Sequence, residues 1–409
     1  MFCRSMLICL ASSLLVVQAQ AQQANAPQAA ALNSGAPQPT ARQDETRVPT
    51  EFASHHGSVF DAAFTPDGKT LVTAGADHRL KFSSHDGGEI DRKEQRRRQK
   101  LFADLDSKRF QVRQRAFRAL AILGESVTDD LTKSMQSPPS SEASLRTQWL
   151  LSLAATPRGV GHREEVRGVA ISADGETIAS ASRDNIIGLW SLKSGRAVSV
   201  IRAHGDGVWC VDFSNEGKRL ASGGGDHVVR IWDTKTLAAT HRFIGHESTI
   251  HEVEFSSDDS IVASAGGFDR SVRVWSMESK RCLHTFDAHD DAVVCLDIAP
   301  NGRSIISGDY KGKIYVWDLD TGRLKQSFDA HRGVVRDVAF LPNDVNRIVS
   351  VGDDGLIKRW DLHEPETPLV YANTYGGLCC IAIAPDQGSF IVGGRDGKVR
   401  QILMGNDGR

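Results

Sequence analysis

No stretch of this 409-residue chain is long and apolar enough to cross a bilayer as a helix; the apolar run from Met6 to Val17 has 12 residues. Charge of neither sign is in excess. The 49 Lys and Arg against 51 Asp and Glu leave a net charge of -2, which removes the basic balance of a nucleic-acid binder. Cysteine is scarce: beyond Cys3 and Cys9 only Cys210, Cys282, Cys295, Cys379 and Cys380 occur, an odd number that argues against a disulfide framework. There is no Cys-x-x-Cys-His haem signature, and Gly223-Gly224-Gly225 lacks the Gly-Lys-Ser/Thr continuation of a phosphate loop. Of 14 histidines, those outside one repeating column are scattered, without the paired spacing of a zinc site. No cofactor or metal is implied.

What the chain does have begins at its start. Arg4, the apolar run and the small-x-small triplet Ala19-Gln20-Ala21 have the pattern of a secretory signal over residues 1–21, with cleavage after Ala21. The expected location is therefore periplasmic or secreted, with no transmembrane segment in the mature form. Residues 22–46, rich in Ala, Gln and Pro, are expected to be a disordered linker.

The strongest signal is a period. Trp190-Ser191, Trp232-Asp233, Trp275-Ser276, Trp317-Asp318 and Trp360-Asp361 step by 42, 43, 42 and 43 residues. His162, His204, His246, His289 and His331 keep the same step, each preceded by Gly or Ala. A repeat of this length that opens on Gly-His and closes on Trp-Asp marks a four-stranded propeller blade. Alternation such as Val208, Val211, Phe213 gives a first strand, turns such as Pro66-Asp67-Gly68 lead to the second, and Val229-Arg230-Ile231-Trp232 closes the third. The expected fold is all-β: a seven-bladed propeller of four-stranded antiparallel blades. Residues 47–90 hold a closing strand and blade one, and residues 158–409 hold blades two to seven. The seventh repeat stops after its third strand, so Arg47 to Ala53 is expected to supply its outer strand.

Residues 91–157 break the period and read as helices, a small α-helical insertion between blades one and two. Asp106-Ser107 can cap a helix with Val112, Ala116, Leu120 and Leu123 on one face, and Leu145, Trp149 and Leu153 mark another. The paired helices resemble a HEAT-like hairpin.

The repeats resemble the WD-repeat propeller family over roughly residues 47–90 and 158–409, in a bacterial secreted form with a helical insertion. That resemblance implies a buried set of His, Ser or Thr, Asp and Trp on each blade, in which the indole N–H needs an acceptor and the hydroxyl and imidazole relay that need to a carboxylate. The set is complete as His162, Ser180, Asp184, Trp190 on blade two and His204, Ser222, Asp226, Trp232 on blade three. Blades four and six match with His246, Ser264, Asp269, Trp275 and His331, Ser350, Asp354, Trp360. Blade five has Lys311 where Asp belongs. Blade one has Ser83 at the Trp position beside His55, Thr73 and Asp77, and blade seven keeps only Asp396, with Thr374, Val392 and Ile402 elsewhere. A Ser/His/Asp triad is a poor reading, because a nucleophilic site is built once in a cleft whereas this set recurs around a ring.

Two features could carry binding. The residues five after each His (Phe60, Arg167, Trp209, His251, Val294 and Arg336) point to the His-loop face of the ring. Arg183, Phe268, Tyr310, Asp353 and Arg395, next to the turn Asp, join them. Aromatics and arginines gathered on one rim have the composition of an interaction hot spot. The second feature is a run of 11 Lys/Arg against 4 Asp/Glu from Asp91 to Arg118, including Arg96, Arg97 and Arg98, which could meet an anionic partner or surface. The expected function is a non-enzymatic protein- or peptide-binding scaffold, with no nucleic acid expected and oligomeric state open. The alternative is a secreted propeller hydrolase or lyase using channel-facing Asp212, Glu254 and Asp297 as acid and base.

Overall fold

The computed structural model describes residues 50–84, 100–105, 112, 116, 162–193, 195–371, 376–385 and 388–404. The expected signal and linker, Thr374, Arg96 to Arg98 and most of residues 91–157, where the helical insertion is expected, lie outside the described residues. Within the insertion, residues 100–104 are helical.

The strands form seven antiparallel sheets, six of four strands and one, on blade one, of three among the described residues. Each blade starts with an inner strand: Val59–Phe64, Val166–Ile171, Val208–Phe213, Ile250–Phe255, Val293–Ile298, Val335–Leu341 and Leu378–Ile383. Each inner strand touches the next, and the last touches the first, so the ring is closed around a central channel. Thr50–Ser54 pairs antiparallel with Lys398–Leu403, outermost on blade seven, with Thr50 opposite Gln401 and Ser54 opposite Lys398. One sheet therefore uses both ends of the propeller sequence, and Lys398–Leu403 is covered by a fourth strand instead of ending the sheet.

The sequences of the second strands follow from their position. TIASAS, RLASGG and IVASAG are buried along almost their whole length because a neighbouring blade packs on each face. Small residues fit there because the blades converge toward the channel. The outermost strands face solvent, as in Ala239–Ile244 and Arg323–Asp329. The apolar core is distributed: one cluster fills each junction between blades, such as Val211, Phe213 and Trp232 with Ile187 and Leu189, or Trp275 and Ile250 with Ile231 and Phe243.

Cys210, Cys295 and Cys380 are buried on the inner strands of blades three, five and seven. Each thiol approaches the first carbonyl of the next blade's inner strand: Ile250 O at 3.8 Å, Val335 O at 3.7 Å and Val59 O at 3.9 Å. These contacts are weak, but the steric fit around them is strict. Each cysteine faces a glycine on its own second strand: Gly223, Gly308 or Gly393. A Cβ on Gly223 would stand 2.7 Å from the Cys210 sulfur and 2.5 Å from Ile250 Cγ2, and Gly308 and Gly393 are hemmed in likewise. Blades without the cysteine carry Ala74, Ala181, Ala265 or Val351 at this position.

Gly223→Ala is therefore expected to lower the free energy of unfolding by about 1–3 kcal/mol through overpacking. Combined with Cys210→Ala, it should lower it by less than the sum of the two single changes, because the shared clash is gone. Urea melts of the four proteins of the cycle check this, and strict additivity would contradict the account.

Candidate functional site

The buried polar sets come first because they hold the loops that carry the rim. On blade three Trp232 Nε1 donates to Ser222 Oγ at 2.9 Å, Ser222 Oγ lies 2.7 Å from His204 Nε2, and His204 Nδ1 lies 2.8 Å from Asp226. Asp226 also accepts the N–H of Gly205 at 3.0 Å. With Ser donating to Nε2 and Nδ1–H donating to the carboxylate, the indole, the hydroxyl and both ring nitrogens are matched, and Asp226 also pairs with Arg230 at 2.8 Å. Burial holds His204 below its ordinary pKa despite Asp226, so the imidazole stays neutral. The same relay forms on blade two with Trp190 at 2.7 Å from Ser180, on blade four with Trp275 at 2.8 Å from Ser264, and on blade six with Trp360 at 2.8 Å from Ser350. Each has its His–Asp contact, at 3.0 Å for His162 and Asp184, 2.7 Å for His246 and Asp269, and 2.8 Å for His331 and Asp354. Blade one keeps His55 between Thr73 and Asp77 without a Trp. Against the desolvation that would raise it, the hydrogen bond from His55 holds Asp77 down at about 2.

Blade five solves its missing Asp in a way that sequence reasoning missed. Asp309, two residues before Lys311, is fully buried and accepts the N–H groups of Lys311 at 3.0 Å and Lys313 at 2.9 Å. Tyr315 donates to Asp309 at 3.2 Å, and its hydroxyl accepts the N–H of Asp290, the residue after the column His, at 3.0 Å. Two side chains from other columns thus replace one carboxylate. His289 keeps Ser307 at 2.7 Å but its Nδ1 has no hydrogen-bond partner, and burial lowers its pKa to about 4. On blade seven, Asp396 pairs with the buried Arg400.

The channel carboxylates have a structural use. Asp212 accepts the N–H of Phe255 at 2.8 Å, Glu254 that of Ile298 at 2.9 Å, and Asp297 that of Phe340 at 2.5 Å, each across a blade junction. Asp61 and Asp337 do the same for Val169 at 2.7 Å and Ile381 at 2.8 Å. The enclosing walls raise Asp61 and Asp212 to about 7 by desolvation, against the pull of those amides. Glu254 is raised by desolvation and by Asp297 beside it. The three residues read as candidate acid and base thus share one structural role, each accepting an N–H across a blade junction.

The rim residues named from sequence meet in two chains of contact. In the first, the Arg167 guanidinium lies 4.0 Å over the ring of Phe60 and 4.8 Å over that of Trp209, and Trp209 meets His251 edge-on at 5.2 Å. In the second, Phe268 and Tyr310 are 5.9 Å apart and Arg336 sits 6.0 Å from the Tyr310 ring. Arg336 makes a two-bonded pair with Asp353, at 2.7 and 3.0 Å, and Arg395 reaches the same carboxylate at 2.6 Å. Arg183 and Arg167 share Glu165, which the sequence reading had passed over. His251 is lowered to about 4 by burial and by the charges of Arg167 and Arg336, so it is neutral near pH 7. Val294 is half-buried between these groups in the column order and enters neither chain.

Comparison with known proteins agrees with the propeller fold. A family model described as IFT122 first beta-propeller matches residues 165–408, and one described as WD domain, G-beta repeat matches residues 47–82. The chain belongs to the family of WD-repeat β-propellers. It is 29% identical over 242 residues to the rat (Rattus norvegicus) protein "Apoptotic protease-activating factor 1", a stretch that is 57% of this chain and 19% of that protein. The chain thus spans about a fifth of that relative's length. A solved structure described as "Structure of U3-55K" superposes with a TM-score of 0.64 at 17% identity, covering 87% of this chain and 98% of that one, which is a likeness of fold alone.

Because Asp212 is raised from 3.8 to about 7, its contribution to stability is present at low pH and is lost as pH rises through 7. Asp212→Asn keeps an acceptor for Phe255 and has no proton to lose. The unfolding free energy of the variant minus that of wild type should therefore grow steadily from pH 4 to pH 7. Denaturant melts across that range check it, and a pH-independent difference would count against a strained carboxylate.

Proposed function

We propose that this protein is a non-enzymatic scaffold that holds a peptide or partner protein on the His-loop face of its propeller. One observation carries the reading: aromatic and arginine side chains from successive blades touch one another along the rim, each fixed by a neighbour or a carboxylate. Groups held in place before a partner arrives lose little freedom on binding, and Trp, Tyr and Arg are the residues that dominate interface energies. Phe268 is 71% exposed and lies beside Tyr310, so both rings are open to a partner on that face. We further propose that the protein is exported, with residues 1–21 acting as the signal, so that the partner is an extracytoplasmic protein. The junction-spanning use of Asp212, Glu254 and Asp297 supports the absence of chemistry in the channel.

Replacing Trp209, Tyr310 and Arg336 together with Ala should abolish capture of the partner from the native envelope. The loss of the Asp353 pair and the Arg167 stack should lower Tm by no more than about 5 °C. Affinity capture with mass spectrometry, beside a thermal melt, makes the test. Identical proteins retained by both forms would refute the face as the binding site.

A further inference from the structure

The rim is not uniform around its circumference. Blades six, seven, one and two are consecutive across the ring closure. Three of them bear Arg336 on blade six, Arg395 on blade seven, and Arg167 and Arg183 on blade two. Each pair shares one carboxylate, Asp353 or Glu165, so two guanidinium groups face one negative charge and each trio keeps a surplus positive charge. The loop residue after each column His repeats the division. It is the exposed Arg163 on blade two and the exposed Arg332 on blade six, but the exposed Glu247 on blade four, while Asp290 on blade five is paired with Lys313 at 2.8 Å. The other half, blades three to five, presents Trp209, Phe268 and Tyr310.

The aromatic rings do not form an empty cage for a cation. The space between Phe60 and Trp209 is filled by the chain's own guanidinium, Arg167, whose Nη2 donates to Glu165 and whose Nε is buried. A cationic ligand would meet a resident cation there, whereas a carboxylate would find a planar donor already oriented by two rings.

Resting on the scaffold reading above, we propose that the partner presents an acidic peptide segment. Its Asp or Glu carboxylates lie against the arginine half of the rim, and an apolar side chain lies on Phe268 and Tyr310. The guanidinium groups are held by rings and carboxylates before binding, so two-pronged pairing with a carboxylate requires little ordering. The opposed charge at Glu247 sets the direction in which the segment crosses the mouth, because a reversed segment would bring like charges together there.

The probe is a displayed library of random peptides about a dozen residues long, panned on three forms of the full chain. These are wild type, a charge-reversed Arg183→Glu/Arg395→Glu form, and the Trp209/Tyr310/Arg336 alanine form. Arg183 and Arg395 are chosen because their side chains are half exposed, at 49% each, and a thermal melt verifies that the reversed form is folded. Wild type should enrich Asp- and Glu-rich peptides with an apolar residue, and the reversed form should lose them and favour Lys and Arg. A selected peptide, labelled and titrated by fluorescence polarisation, should bind with an affinity that falls steeply with added salt. Its Glu→Gln counterpart should bind about tenfold or more weakly. Neutral or basic peptides selected on wild type, or equal affinity for the Gln counterpart, would overturn the acidic partner. If those peptides were still lost on the alanine form, the scaffold reading would stand. Enrichment of nothing on wild type beyond the alanine form would overturn both.

Discussion

An indole N–H buried between two blades must be given an acceptor, and the rest of the architecture follows from how that demand is met. A serine hydroxyl takes the bond from the Trp and passes its own hydrogen to a neutral imidazole, whose other nitrogen donates to a carboxylate at a turn. The relay ties the third strand, the second strand, the entering loop and the turn of one blade together. It can be closed only when the loop and the turn lie side by side on one face. That same face carries the residues five after the His and those next to the turn Asp, so the internal hydrogen bonds also align the rim. Structure and the proposed binding surface are in this sense one design, with the carboxylate of the turn as the hinge point.

Between blades the demand is different. Inner strands converge at the channel, where backbone N–H groups on one blade face side chains of the previous one. Carboxylates reach across five of the junctions to accept those N–H groups, and thiols approach carbonyls at three. The junction from blade seven to blade one has the Cys380 contact and no such carboxylate, but it is where Thr50–Ser54 completes the sheet. A pair of groups that suggests acid–base chemistry in isolation is here one instance of a pattern repeated round a ring.

Much of this was legible in the sequence because a repeat compares itself. The 42- and 43-residue steps place the strands, and the four complete His/Ser/Asp/Trp sets form as their columns require. The rim residues could be named because the column that points to the face is read from one blade and applied to all. What escaped was whatever crossed columns. Asp309 and Tyr315 replace an Asp from two other positions, and Arg400 stands beside Asp396 on the blade whose Val392 and Ile402 cannot sustain a relay. The coupling of Gly223 to Cys210 was visible as an alternation between blades, Gly with Cys and Ala or Val without it, but only packing distances give it a meaning. Glu165 was passed over because its value lies in being shared by two arginines, which is a fact of space and not of order.

The claim that the polar relays exist to hold shape is tested most directly by the unfolding free energy of Ser264→Ala, measured by urea titration. The hydroxyl removed is the partner of both Trp275 Nε1, at 2.8 Å, and His246 Nε2, at 2.7 Å. Two buried groups lose their bonds at once, and a loss of about 2–4 kcal/mol is expected in a protein that still presents its rim. A loss below about 0.5 kcal/mol would contradict the account, because surface-like indifference at that position would mean the relay holds nothing together.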